Sequence, residues 1–86
     1  MRLVYEVAFR RLDQRLAAHL VAQHPNKDGD TINITHQALA DALGTSREIV
    51  SRILESFETE GLVNLERRRI TVLHPERLMR MTAPPA

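Results

Sequence analysis

The sequence predicts an α+β fold, mostly helical, with one small antiparallel hairpin near its end. Three observations lead there. Val50, Ile53, Leu54 and Phe57 recur at i, i+3, i+4 and i+7, the spacing of a single buried helical face. Leu39, Ala42 and Leu43 make a shorter apolar stripe just upstream, and Gly44-Thr45-Ser46 separates the two stripes. Beyond Gly61, Leu62-Val63-Asn64-Leu65 and Arg69-Ile70-Thr71-Val72-Leu73 have the composition of two strands around a turn at Glu66-Arg67-Arg68.

The chain opens with Leu3, Val4 and Val7, which are spaced to continue a helical seam or to form its frayed start. Phe9, Leu12, Leu16 and Leu20, with Ala17, then define a first core helix over about Val7–Gln23. Arg10, Arg11, Gln14 and Arg15 fall mostly off that stripe and suit a solvated face. His24-Pro25 ends the helix, because a residue before proline avoids the helical region. Asn26-Lys27-Asp28-Gly29-Asp30 is a turn cluster. Its alternating side-chain oxygens superficially suit calcium. A calcium loop starting at Asn26 would need glycine where Thr31 stands and glutamate where Gln37 stands, so a loop tip is the better reading.

Thr31-Ile32-Asn33-Ile34 alternates like a short strand, and Thr35 is a good N-cap for a helix over His36–Leu43. Gly44 can adopt the positive φ that ends this helix, and Thr45 or Ser46 can cap the next, over Ser46–Glu60. Gly61 stops that helix, and a hairpin follows over about Val63–Leu73. Pro75 can start a last short helix, with Leu78 and Met79 or Met81 folding back on the core. Residues 1–81 form one domain on this reading, and 82–86 a disordered tail. Two short helices about a tight turn, followed by a hairpin, make a winged helix-turn-helix with the hairpin as its wing.

Composition narrows the function. The 86 residues suit one small domain, and their formal charge of +1 does not by itself point to nucleic acid. Distribution is more telling: Arg67, Arg68 and Arg69 form a local cationic run. Cysteine is absent, which excludes disulfides, thiol chemistry and thiolate metal sites. No apolar run approaches a membrane span and no secretory signal is visible, so a cytoplasmic protein is expected. His19, His24, His36 and His74 lack metalloprotease spacing, and no glycine-rich phosphate loop occurs. The expectation is therefore no enzyme, no metal and no cofactor in this chain.

DNA readout fits better. Arg47, Glu48, Ser51, Arg52 and Glu55 share the helical face opposite Val50, Ile53, Leu54 and Phe57. A helix with one buried side and long hydrogen-bonding side chains on the other is suited to the major groove. The Arg52 guanidinium can donate twice to guanine O6 and N7, Arg47 can do the same or bind a phosphate, and Glu48 can accept from cytosine N4. Thr45, Ser46, Arg67, Arg68 and Arg69 suit phosphate contacts, which position a domain without carrying sequence information. The alternative for Glu48 and Arg52, at i and i+4, is a helix-surface ion pair worth a few tenths of a kcal/mol. The alternative for the whole domain is a winged-helix module whose exposed helix or wing contacts protein without DNA readout.

The stretch LADALGTSREIVSRILESFETEGLV resembles the helix-turn-helix of the cyclic-AMP receptor protein and fumarate–nitrate regulator (Crp–Fnr) family. The pattern Leu39-Ala40-x-x-Leu43-Gly44-x-Ser46-Arg47-Glu48-x-x-Ser51-Arg52 carries the likeness, which extends over roughly Val7 to Met81. It implies a bacterial transcriptional regulator with the helix 46–60 in the major groove. Arg47, Glu48 and Arg52 match base-contact positions of cyclic-AMP receptor proteins, and Glu48, Ser51 and Arg52 match those of fumarate–nitrate regulators. The resemblance further implies double-stranded DNA as partner, a homodimer in the intact regulator and RNA polymerase as a candidate second partner. In that family a long dimerisation helix and an effector-binding β-barrel precede this position. The family often places glycine in the wing turn, where this chain has none.

Overall fold

The computed structural model describes the backbone of residues 2–23, 25 and 29–82, with the side chains of these from residue 11 onward. The elements run α1 (Arg2–Val21), β1 (Asp30–Ile32), α2 (His36–Leu43), α3 (Arg47–Thr59), β2 (Val63–Glu66), β3 (Arg69–Val72) and α4 (Pro75–Met81). Phe9's place in the core, the turn at residues 26–28 and the tail beyond Thr82 lie outside the described residues. Thr82 itself caps α4, with its hydroxyl donating to Met79 O at 2.7 Å.

One core joins every element. Val50, Ile53, Leu54 and Phe57 of α3 are each no more than 1% exposed. They meet Leu16, Ala17 and Leu20 of α1, Leu39, Ala40 and Leu43 of α2, and Ile32, Val63, Ile70 and Val72 of the sheet. Leu78 of α4 completes the cluster; Met81 packs at its edge, whereas Met79 points outward. In α2 the buried alanine is Ala40, and Ala42 is exposed, contrary to the stripe drawn from sequence. At about 100° per residue the two alanines flank the Leu39–Leu43 line at similar angles on opposite sides. Periodicity cannot choose between them; the side on which α2 meets its neighbours does.

The caps are local chemistry. The Thr35 hydroxyl accepts from Ala38 N–H at 3.0 Å and starts α2. Gly44 ends it at φ 70°, and Thr45 N–H reaches back to Ala40 O at 3.0 Å. The Ser46 hydroxyl then caps α3 by accepting from Ile49 N–H at 3.3 Å. Arg15, expected on a solvated face, donates through Nη2 to Leu43 O at 3.1 Å. It thereby satisfies a carbonyl at the C-terminal end of α2, where a cation also complements the helix dipole.

The wing is the outer part of a three-stranded antiparallel sheet in the order β1-β3-β2. Strand β3 is central: Ile70 pairs with Leu65 on one side and Ile32 on the other. The strand expected at Thr31–Ile34 is thus shifted to Asp30–Ile32, and it joins the hairpin. The edge strand β2 is tied to α3 by the Glu58 carboxylate, which accepts from Leu65 N–H at 2.8 Å.

Asp13 of α1 carries a buried carboxylate oxygen, Oδ1, with no hydrogen-bond partner among the described residues. Burial, and then the charge of Glu60, raises its pKa above the ordinary 3.8. A raised folded-state pKa gives stability that is fully present below the unfolded value and lost as pH rises through the folded one.

Two predictions follow from this packing. Leu54→Ala should cost about 2–5 kcal/mol in urea unfolding, the range for emptying a fully buried leucine site. Asp13→Asn should be more stable than the wild type at pH 7, and that advantage should vanish as pH falls below about 3.8. Denaturant midpoints over a pH series would check both the sign and the window.

Candidate nucleic-acid interface

Burying one face of α3 leaves the other facing solvent over about 20 Å of helix, long enough to lie in a major groove about 12 Å wide. Ser46, Arg47, Glu48, Ser51, Arg52 and Glu55 line a shallow concavity along that face. All are exposed except Ser51, which is half-buried. Among the described residues, the side chains of Arg47, Glu48 and Arg52 make no hydrogen bond or ion pair. The i, i+4 pairing open to Glu48 and Arg52 is not formed, so both side chains keep their hydrogen-bonding capacity.

Ser51 is placed differently. Its Oγ lies 2.8 Å from Nδ1 of His36, the first residue of α2. The His36 pKa is lowered from 6.5 by burial, and further by the Arg47 charge, against an opposing pull from Glu55.

A second groove opens beside the first. Thr35, His36 and Gln37 at the start of α2 form one wall, Arg47 stands between the two grooves, and Glu66, Arg67 and Arg68 form the wing wall. Of the arginine run, Arg69 is ion-paired with Glu66, donating through Nε to Oε2 at 2.7 Å. Arg67 and Arg68 are exposed and unpaired among the described residues. Arg68 has φ 60°, the left-handed conformation that leaves a side chain strained, and it closes the wing turn where glycine would be at ease.

The structure therefore brings Arg47, Glu48, Ser51 and Arg52 together on one face. It sets Thr45 and Ser46 at the turn beside them and carries Arg67 and Arg68 on the wing. Sequence reasoning missed His36 and Gln37 as wall residues. The signal was present: a Thr35 N-cap puts the next two side chains on the first turn of α2, the end that faces the wing.

Comparison with known proteins gives this geometry a family. A model of the Crp-like helix-turn-helix domain matches residues 14–81. The chain belongs to the Crp-like helix-turn-helix family. It is similar to the cAMP-activated global transcriptional regulator Vfr of Pseudomonas aeruginosa, with 36% identity over 83% of this chain and 36% of that protein. The global nitrogen regulator of Synechococcus elongatus is 32% identical over 85% of the chain and 36% of its own length. The crystal structure of Thermus thermophilus catabolite activator protein superposes with a TM-score of 0.81 at 30% identity, covering 92% of this chain and 37% of that one. The chain thus spans a little over a third of the length of the curated relatives it matches. As a Crp-like domain it is the DNA-binding helix-turn-helix region of the Crp/Fnr family. None of the described helices is long and apolar enough to cross a membrane.

The wing turn generates a test. Relieving a left-handed arginine yields about 1–2 kcal/mol, while glycine's added freedom in the unfolded chain costs about 0.5–1 kcal/mol. Arg68→Gly should therefore stabilise the domain by roughly 0.5–1 kcal/mol in equilibrium unfolding. A destabilised variant would show that the Arg68 side chain holds the turn.

Proposed function

We propose that this chain reads double-stranded DNA with Arg47, Glu48, Ser51 and Arg52 of α3 in the major groove. Thr45, Ser46, Arg67, Arg68 and Arg69 hold the flanking phosphates. The observation that supports the reading best is the free polar face of α3. Its arginines and Glu48 are unpaired on a helix whose opposite face is completely buried. Arg52 offers two donors to guanine, and Glu48 accepts from cytosine while its charge penalises the wrong base edge. An arginine at φ 60° supports a role for the Arg68 side chain, since the backbone alone favours glycine. Arg69, already neutralised by Glu66, contributes the weakest phosphate contact of the run.

The intact protein on this reading is a bacterial, cytoplasmic regulator whose residues 1–81 form the DNA-binding domain. Two copies address half-sites about 34–36 Å apart, one turn of DNA, and RNA polymerase is the second partner. The isolated chain makes one set of contacts and binds a half-site modestly.

Arg52→Ala should lose about 1–3 kcal/mol on the preferred duplex and flatten the preference at one base pair. Arg67→Ala should weaken all duplexes alike and reduce the salt slope by about one. Titration of both variants against matched and mismatched duplexes at several salt concentrations separates the two roles. If Arg52→Ala shifts every duplex equally, Arg52 is not a base reader. If neither variant changes binding to any duplex, the exposed helix and wing contact protein instead.

A further inference from the structure

Ser51 is the one member of the proposed reading set that already has a partner. Its Oγ is 2.8 Å from His36 Nδ1, and both groups are half-buried where the start of α2 meets α3. A serine hydroxyl holds one proton, so its bond to His36 fixes what remains for DNA. If Nδ1 is unprotonated it accepts, the Ser51 proton is spent on it, and Oγ faces DNA as an acceptor only. If Nδ1 carries a proton it donates to Ser51 Oγ, and the hydroxyl proton is free to donate outward.

We propose that His36 is a specificity-determining positioning residue: the proton on its Nδ1 decides whether Ser51 meets a base edge as acceptor or as donor. This rests on the reading of Ser51 as a base contact. An acceptor favours the amino edges of adenine N6 and cytosine N4; a donor favours guanine O6 and N7 or thymine O4. Neutral His36 with its proton on Nε2 makes Ser51 an acceptor, and the imidazolium reverses it.

The surroundings set the range. Arg47 and Glu55 of α3 act on the ring with opposite sign, and Glu66, Arg67 and Arg68 of the wing line the groove it borders. On α2 itself, Asp41 is five residues on from His36 and is held by Gln37, whose amide donates to Oδ1 at 2.9 Å. Burial and Arg47 together favour the neutral ring, so the donor state belongs to pH below 6.5. DNA adds phosphates that oppose Arg47 and ease protonation in the complex.

The test uses the 86-residue chain and synthetic duplexes carrying the half-site enriched by binding selection from random DNA, with each base pair then varied in turn. Preferences are measured at pH 8 and pH 5.5 for the wild type, Ser51→Ala and His36→Phe. In the wild type, preference at one position should move from a base-donor edge toward a base-acceptor edge by about three- to tenfold, the worth of one hydrogen bond. Ser51→Ala keeps every histidine but should lose that movement, and His36→Phe should show a pH-independent preference there. Long-range proton–nitrogen spectra of the free wild type should show Nδ1 unprotonated at pH 8.

Wild-type preferences that are identical at both pH values overturn the proposal, as does a pH effect that survives Ser51→Ala. A proton on Nδ1 at pH 8 also overturns it, because Ser51 would then be a donor throughout. If Ser51→Ala leaves every preference unchanged at pH 8, the base-contact reading of Ser51 fails first and the inference falls with it. Loss of Arg52-dependent preference remains a separate result.

Discussion

The polar face proposed to meet DNA depends on the seam of Val50, Ile53, Leu54 and Phe57. Burying these four side chains fixes the rotation of α3 about its own axis, because a turn of one residue, about 100°, would drive charged groups into the core. The direction of Arg47, Glu48 and Arg52 is thus a by-product of hydrophobic packing. The seam also sets the helix against α2 and the sheet, so the same contacts that stabilise the fold hold the reading face in register with the wing. Gly44 and the Ser46 cap determine where α3 begins, and Glu58 ties the wing to its far end through Leu65 N–H.

The polar face shows why a nearly neutral chain can address a polyanion. Arg47 and Arg52 are offset by Glu48 and Glu55 along the helix, so its local charge is suited to discriminating between base edges more than to attracting DNA. The proposal gives attraction to the wing, where Arg67 and Arg68 are exposed and Arg69 is paired with Glu66. On the proposed reading, specificity and affinity are carried by different elements.

Much of this was legible in the sequence because it is local. The α3 seam, the Thr35 cap, the Gly44 turn and the polar face follow from helical period and cap chemistry within a few residues. Non-local features were not legible. Periodicity could not choose Ala40 over Ala42, nor show that Arg15 reaches Leu43 O or that β1 joins the hairpin. The Ser51–His36 bond crosses between helices, and its only sequence trace was two polar residues beside a cap and a seam. Arg68 was legible as a charge but not as a left-handed residue, since turn chemistry would have placed glycine there.

The pairing of β1 with β3 has a kinetic side. The β2–β3 hairpin closes over a two-residue turn, a fast and local event, whereas Asp30 must find Val72 across the whole helix-turn-helix. The chain entropy of that closure is offset by the shared core that α2 and α3 form with both strands. Strand β1 therefore closes the longest loop in the sheet, and it raises the contact order of the domain far more than the local hairpin does.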